Sequence, residues 1–475
     1  MEDARWPGFK HNIHSVFHRA ITEMPWYREL ELARHGARYV EPELNVALVL
    51  RSGEALCWWT DFEKTAQSFA TFSARDAVTL RRWREAFVPI LERILGPEAR
   101  RPPVDPAARV SGLQKTAEGR LLLETSALSP LEFVEREFEH PVVKAGLLFF
   151  NGLREVDLRL RGFGHHIPAL LASPAKAQLC LGGAARLADA LASAVRDSGG
   201  EIRTSCTPKR IVVERGRVIG VETQDGEMLR ARFVASSLNP QQTFLELLET
   251  HALSEDWRSK AERFEYNLLA PLFSLNLALK ERPRYRAEEK HPELARAFMV
   301  ILGLERHEQF NDIVRCHEEG RIPPTVMWGA CPTLFDPSQA PPGGHTAFMW
   351  EKVPYRRRWD AEQEKHAADL LQTWSEYAPN LPESTIGWFA RSPLDTEREL
   401  PNMRHGDLLV GAFANGQVGY ERPFRGAGQY RTPVEGLYLC GSSSHPGGNV
   451  TGLPGYNSAQ VLLADLGLSE LGPRH

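Results

Sequence analysis

The stretch that decides the fold is Gly436-Leu-Tyr-Leu-Cys-Gly441, followed by Ser442-Ser-Ser-His-Pro-Gly-Gly-Asn-Val-Thr-Gly452-Leu-Pro-Gly-Tyr-Asn-Ser-Ala459. The apolar residues Leu437 to Cys440 predict a short strand, and the apolar spacing from Ser458 to Leu466 predicts a helix. The glycines between them let the backbone approach a ligand without a side chain in the way. Because a helix start offers unpaired N–H groups and a partial positive charge, this turn suits an anionic or electron-rich group.

The composition is that of an ordinary globular protein. The chain has 475 residues, of which 42% are hydrophobic and 25% charged, which predicts two or three domains. A net charge of −4 gives no support for nucleic-acid binding. The longest apolar stretches, such as Leu268 to Leu279, are too short to span a bilayer, although peripheral contact with a membrane stays open.

The cysteine pattern bears on the compartment and on metals. Cysteines stand at positions 57, 180, 206, 316, 331 and 440, and none forms a Cys-x-x-Cys pair. This spacing argues against a structural zinc site and a disulfide framework, so we expect no metal and a reducing, cytoplasmic location.

Short motifs from about residue 6 to the end of the chain occur in the order of one known family. They are Pro7-Gly-Phe9, Glu29 to Gly36, Leu181-Gly-Gly183, Val353-Pro-Tyr355, Tyr377 to Asn380, Asn402, His405-Gly-Asp407, Leu437 to Gly441, His445 to Gly448, Val450-Thr-Gly452 and Pro454 to Asn457. Together they resemble the phytoene dehydrogenase-like FAD-dependent oxidoreductases, in particular the branch of pyridine nucleotide-disulfide oxidoreductase domain-containing protein 2. The C-terminal motif is the most specific of them.

This resemblance implies an α/β fold with two parts. A discontinuous, Rossmann-like FAD domain would take residues 1–60, 175–244 and 405–475, with its first βαβ unit missing. A substrate domain of mixed sheet and helices would take residues 61–174, its helical part, and 245–404.

The resemblance also implies FAD as the cofactor and a set of cofactor-binding residues. These are Gly441, Ser442, Gly448, Asn449, Val450 and Thr451 in the C-terminal loop, and Gly182 and Gly183 at a helix entry. Backbone N–H groups of the loop would lie near the pyrimidine ring of the flavin, and Ser442 near the ribityl chain or phosphate. For Gly182 and Gly183 a purely structural role is equally open.

The chain departs from the family in two places. It has no Gly-x-Gly-x-x-Gly loop between a strand and a helix, the unit that cradles the pyrophosphate. Pro208 stands where the family has a valine whose backbone meets the adenine, and proline has no N–H to donate. Either the true start lies upstream of Met1, which the family order favours, or the chain is a natural remnant. We therefore expect the chain as given to bind FAD poorly.

The implied activity is transfer of a hydride from an apolar organic substrate, such as an isoprenoid, a lipid-like molecule or an amine, to FAD. Two alternatives stay open: a flavin-dependent polyene isomerase, and a truncated, non-catalytic protein that binds an apolar ligand. Hydride transfer needs no obligatory acid or base, so no catalytic side chain is predicted. The aromatic residues that could line a substrate tunnel, or belong to the core, are Trp58, Trp59, Phe149, Phe150, Phe348 and Trp350.

Local patterns predict individual elements. A helix is predicted from about Ile13 to Arg34, and His11, His14 and His18 fall at helical spacing on one face. A metal is conceivable there, but the neighbouring sequence offers no further ligand. The resemblance implies that this segment lies beside the flavin ring, which favours a substrate-facing role. The other predicted elements are a hairpin of Asn45–Leu50 and Ala55–Trp59, helices in Asp61–Leu95 begun by a Ser73–Asp76 capping box, a helix over Leu187–Arg196, and strands at Ile202–Ser205, Arg210–Glu214, Val218–Thr223 and Phe273–Leu279.

Overall fold

The computed structural model describes residues 4–150 and 155–468. The strands within these ranges are β1 (His18–Arg19), β2 (Tyr39–Val40), β3 (Leu44–Val49), β4 (Ala55–Trp59), β5 (Ala177–Cys180), β6 (Pro208–Glu214), β7 (Arg217–Thr223), β8 (Met228–Arg230), β9 (Val234–Ser236), β10 (Leu272–Leu279), β11 (Met299–Leu302), β12 (Met327–Ala330), β13 (His345–Lys352), β14 (Thr385–Arg391) and β15 (Leu437–Leu439).

Helices cover these strands. They are α1 (Pro25–Glu29), α2 (Phe62–Ala70), α3 (Ala74–Ile90), α4 (Gly96–Ala99), α5 (Pro106–Leu113), α6 (Ala117–Ser126), α7 (Pro130–Glu137), α8 (Pro141–Phe150), α9 (His166–Ala172), α10 (Ala185–Asp197), α11 (Glu255–Glu262), α12 (Gln309–Glu318), α13 (Trp359–Tyr377), α14 (Leu381–Ser384), α15 (Pro393–Glu399) and α16 (Leu453–Asp465). None of those in the described ranges combines the length and apolar character that crossing a bilayer requires.

The largest sheet among the described residues has seven strands in the order β14-β10-β13-β12-β11-β3-β4. Successive side chains of a strand point to opposite faces, and both faces of this sheet are buried. Leu48 and Trp350 pack into a large apolar cluster with helices α3, α8 and α9. Ala47 and Met349, one residue away on the same strands, pack against Trp374 of α13 on the other face.

The hairpin of β3 and β4 belongs to this large sheet. The two strands pair antiparallel, as the sequence predicts, and β3 also pairs in parallel with β11 in the register Val46 to Met299. Residues 44–59 therefore share a sheet with strands from residues 245–404, although the sequence assigns residues 1–60 to the FAD domain. The division of the chain into domains stays a prediction.

A second region brings together the central and C-terminal segments of the predicted FAD domain. Strand β15 pairs in parallel with β9, in the register Leu437 to Val234 and Leu439 to Ser236. Among the described residues β9 pairs with no strand other than β15. Strands β6, β7 and β8 form an antiparallel sheet, and β1, β5 and β2 form another. Parallel and antiparallel sheets with covering helices make this an α/β fold.

The predicted helix over Ile13 to Arg34 is wrong. The segment contains β1, a 3-10 turn at Ile21–Glu23 and the short helix α1. Proline at the first position of α1 begins a new helix, and His18 pairs with Gln178 of β5, a contact that no local pattern encodes. The three histidines His11, His14 and His18 therefore do not share a helical face.

Two other expectations need correction. Ile202–Ser205 is not a strand, because its residues are exposed and pair with no described strand. Helix α16 begins at Leu453 rather than at Ser458, directly after Gly452, which takes a left-handed φ of 66°. Pro454 therefore stands in the first turn, where its missing N–H costs nothing.

The capping box at the start of α3 is only half formed. The Ser73 hydroxyl accepts a hydrogen bond from the Asp76 N–H at 3.0 Å, as expected. The Asp76 carboxylate does not return to Ser73. It accepts bonds from the N–H groups of Glu139 and His140, both at 2.9 Å, and is fully buried.

Replacing Asp76 with alanine should lower the free energy of unfolding by about 2–3 kcal/mol, because two amides beside a buried site lose their acceptor. Asp61→Ala is the matched control: Asp61 caps the exposed start of α2, and its loss should cost about 1 kcal/mol. Urea denaturation of both variants measures the difference. Equal losses would show that the Asp76 carboxylate contributes no more than an ordinary helix cap.

Candidate functional site

The loop between β15 and α16 is held in place through its carbonyl groups. Arg422 donates to the Ser442 carbonyl at 2.9 Å, and the Tyr430 hydroxyl donates to the His445 carbonyl at 2.7 Å. Trp26 Nε1 donates to the Thr451 carbonyl at 2.7 Å. These contacts fix the path of the loop from two parts of the chain, one at residues 422–430 and one at Trp26.

The N–H groups of the same loop are unused. No backbone N–H from Gly447 to Gly452 donates a hydrogen bond to another residue that the structure describes. Asn449 and Val450 have φ values of 71° and 58°, and a left-handed conformation is costly for a β-branched residue such as valine. Successive amides in such a conformation form a concave donor surface. The loop can therefore bind an electron-rich group.

Three glycines of this motif are required by packing. A Cβ on Gly441 would lie 2.1 Å from the Ser237 carbonyl oxygen at the end of β9. A Cβ on Gly447 or on Gly452 would lie within 2.5 Å of an aromatic side chain, Phe413 and Trp26 respectively. The glycines thus let β15, the loop and α16 lie directly against neighbouring elements.

Two cavities meet at this loop. The larger has a volume of about 530 Å³ and contains His165, so we call it the His165 cavity. The other measures about 460 Å³ and contains Lys176, so we call it the Lys176 cavity. Glu155, Leu409 and Asn449 line both, which places the loop at their boundary.

The wall of the Lys176 cavity is largely apolar and comes from separate elements. It includes Val16, Trp58, Phe150, Met299 and Trp350. Of the other aromatic residues considered for a substrate tunnel, Phe149 and Phe348 belong to the core beside it, and Trp59 packs toward the opposite face of the sheet. The aromatic set is therefore divided between cavity wall and core.

Some of the predicted cofactor-binding residues line the Lys176 cavity, and others do not. Ser442, Asn449 and Val450 line the Lys176 cavity. Gly441, Gly448 and Thr451 belong to the same loop without lining either cavity. Their roles toward a cofactor stay predictions.

Gly182 and Gly183 have their N–H groups occupied within the protein. The N–H of Gly182 donates to the Asp336 carboxylate at 2.6 Å, and that of Gly183 donates to the Cys180 carbonyl at 3.1 Å. Neither glycine lines one of the two cavities. These contacts favour the structural role for the pair.

Sequence reasoning missed several residues that shape the site. Arg422 and Trp26 hold the loop, and Lys176 and Arg19 line the cavity. No local motif marks these residues. Arg422 and Trp26 contact a loop that lies 20 or more positions away, and the cavity beside Lys176 and Arg19 exists only in the folded chain.

His18 is held by neighbouring side chains. Its Nδ1 lies 2.9 Å from the Tyr39 hydroxyl, and its Nε2 is hydrogen-bonded to Ser15. Burial lowers the pKa of His18 from 6.5 to about 4. Because the folded protein disfavours the protonated ring, the stability from this group is complete above pH 6.5 and is lost as the pH falls toward 4.

When the pH falls from 7 to 5, His18 becomes protonated in the unfolded chain but stays neutral in the folded one. We expect this difference alone to lower the free energy of unfolding by about 2 kcal/mol. His18→Gln should remove that part of the acid sensitivity, whereas the exposed His251→Gln should retain it. Urea denaturation at both pH values measures the change for each protein. If His18→Gln loses as much stability as the wild type, the pKa of His18 is not the cause.

Comparison with known proteins gives the class of this chain. Residues 79–455 match the family described as flavin containing amine oxidoreductase. The chain is 29% identical to one of the subunits of limonene dehydrogenase from Castellaniella defragrans, over 97% of this chain and 87% of that protein. It is 28% identical to rat pyridine nucleotide-disulfide oxidoreductase domain-containing protein 2, over 97% and 86%.

A solved oxidoreductase structure from Methanosarcina mazei has the same fold, with a TM-score of 0.52 at 16% identity, covering 97% of this chain and 90% of that one. The α/β fold class is thereby confirmed.

The chain belongs to the flavin-containing amine oxidoreductase family, because the match covers most of its length. The resemblance drawn from the C-terminal motif is thus confirmed. The general activity is FAD-dependent oxidoreduction, and FAD is the cofactor. The unused amides from Gly447 to Gly452 fit the electron-rich edge of a flavin ring, while no described segment offers a Gly-x-Gly-x-x-Gly cradle for the diphosphate.

Proposed function

We propose that this chain is a flavin-dependent dehydrogenase that takes a hydride from an apolar organic substrate in the Lys176 cavity. The observation that carries the proposal is the set of unused loop amides at a cavity whose wall is largely apolar. When bound, the flavin supplies the hydride acceptor.

The residues of this chain bind and enclose the reactants. The N–H groups from Gly447 to Gly452 would hold the flavin. Arg422 fixes the loop through its hydrogen bond to the Ser442 carbonyl. Val16, Trp58 and Trp350 would contact an apolar substrate and exclude water from it. The substrate that gives up the hydride must also lose a proton or take up water, and no side chain of this chain is assigned to that step.

An isoprenoid or another lipid-like molecule is the substrate class that we favour. The support is the apolar wall of the cavity, together with the name of one relative, limonene dehydrogenase, which indicates a hydrocarbon. The proposed location is the cytoplasm, for which the support is that all six cysteines are unpaired thiols.

Flavin titration of the purified chain tests the cofactor half of this proposal. The loop would contact the ring end of the flavin, and the described residues supply no diphosphate cradle. We therefore expect weak but saturable binding, with riboflavin, FMN and FAD within about tenfold of one another. Quenching of flavin fluorescence measures it. Absence of saturable binding by all three would favour the alternative of a non-catalytic protein.

Anaerobic reduction tests the chemical half. Candidate terpenes and lipid-like molecules are added to the flavin-loaded chain, and loss of the visible flavin absorption reports hydride transfer. We expect bleaching by at least one apolar substrate. If the bound flavin is reduced only by cationic amines, the apolar substrate class is wrong.

A further inference from the structure

The Lys176 cavity carries positive charge among its apolar residues. Lys176 and Arg19 line it. Glu155 is the acidic residue among the described lining residues, and its carboxylate lies 3.2 Å from the Nζ of the buried Lys352. The acid at this cavity therefore already has a cationic partner.

Lys176 itself has only weak partners. Its Nζ donates to the carbonyl oxygens of Ser173 and Pro174, at 3.2 and 3.4 Å. No carboxylate of a described residue lies within 4.0 Å of it. An ammonium group has three hydrogens to donate, so one remains for a ligand. A largely buried ammonium without a counter-ion is costly, and an anionic ligand would offset that cost.

We propose that Lys176 binds the anionic end of an otherwise apolar substrate, with Arg19 beside it. This inference rests on the proposed function, because it names the end group of the substrate in the same cavity. A carboxylate or phosphate would meet the ammonium, and the hydrocarbon part would lie against Trp58 and Trp350. A cationic amine would be repelled, since two positive charges interact strongly in a poorly hydrated cavity.

The charge of Lys176 is set by its surroundings. Burial, together with the nearby Arg19 on β1 and Arg84 on α3, lowers the pKa of Lys176 to about 8, while Glu41 opposes this shift. His14 and Glu155 are the other titratable groups at this cavity. Lys176 is therefore mostly protonated at pH 7 and mostly neutral at pH 9.

Calorimetric titration with four probes of one chain length tests the proposal: decanoate, decyl phosphate, decanol and decylamine. We expect at least one of the two anions to bind about tenfold or more tightly than decanol, and decylamine to bind most weakly. The tighter anion identifies the head group. Decanoate affinity should fall about tenfold between pH 7 and pH 9, because the protonated fraction of Lys176 falls by that factor, while decanol affinity should not change.

Three variants separate binding from folding. Lys176→Met should weaken anion binding at least about tenfold and leave decanol unchanged, and Lys176→Arg should retain most of the anion affinity. Lys365→Met removes an exposed lysine on α13 and should behave as the wild type. Thermal denaturation checks that each variant is folded.

The proposal is wrong if decanol or decylamine binds as tightly as both anions, if neither anion binds, or if Lys176→Met weakens decanol as much as decanoate. Calorimetry requires neither turnover nor a bound flavin. If the chain binds decanoate through Lys176 but never binds flavin, the proposed function is wrong and the anion-binding site is still supported.

Discussion

Replacing Arg422 with methionine should lower the free energy of unfolding by about 3–5 kcal/mol and disorder the loop between β15 and α16. The guanidinium is fully buried and donates to the carbonyl groups of Ser442, Ala412 and Gln417, with distances from 2.9 to 3.3 Å. Methionine fills a similar volume and donates nothing, so these buried acceptors lose their partner.

The charge of Arg422 is part of the expected effect. Burial lowers the pKa of Arg422 to about 10, and the nearby Asp407 opposes this shift, so the side chain stays protonated at neutral pH. Asp407 is itself buried and accepts from the N–H groups of Asn267 and Gly411. Removing Arg422 leaves this carboxylate without its nearby cation.

Arg425→Met is the matched control, because Arg425 lies three positions away and is exposed. We expect its stability to stay within about 0.5 kcal/mol of the wild type. Arg422→Lys should recover only part of the loss, since one ammonium cannot reach acceptors on several sides. Urea denaturation followed by circular dichroism measures all three. A loss in Arg422→Met no larger than in Arg425→Met would contradict the proposed role.

Replacing Gly441 with alanine should weaken flavin binding at least about tenfold and lower the free energy of unfolding by about 1–3 kcal/mol. The new Cβ would lie 2.1 Å from the Ser237 carbonyl oxygen, so the ends of β15 and β9 must separate. The loop amides follow directly after Gly441 and would shift with it. Flavin fluorescence quenching and thermal denaturation measure the two effects.

Gly455→Ala makes the same chemical change in the same motif without the clash. A Cβ there would be 3.8 Å from its nearest neighbour, the Cys440 carbonyl oxygen, and the residue lies inside α16. Alanine favours a helix over glycine by about 1 kcal/mol, so this variant should be slightly more stable and bind flavin normally. If both variants lose flavin equally, the contact at Ser237 is not the reason.

Elements with a strong local pattern were predictable from the sequence. The β3–β4 hairpin, the helix that became α10 and strand β10 all follow from apolar periodicity and turn residues. The region around His18 was not predictable, because its strand exists only through pairing with β5. Ile202–Ser205 has a strand-like composition, but among the described residues no neighbouring strand pairs with it.

The candidate site also combines features that have a local signal in the sequence with features that have none. The glycine-rich loop has a clear local signal in the sequence, and Asn449 and Val450 of that loop line a cavity. Its role toward a cofactor stays a prediction. The partners of that loop could not be predicted, since Trp26 and Arg422 reach it from distant segments through side chains of ordinary type. The role of Lys176 could not be predicted either, because the cavity that it lines is formed by elements that come together only in the folded chain.

The parallel pairing of β3 with β11 also has a consequence for synthesis of the protein. As the chain leaves the ribosome, β3 and β4 can form early, but the second edge of β3 has no partner until Met299–Leu302 has been made. During that interval a nascent hairpin with apolar residues on both faces presents an open edge, which promotes aggregation. We therefore expect the yield of native protein to depend on chaperones and to improve when cells are grown in the cold.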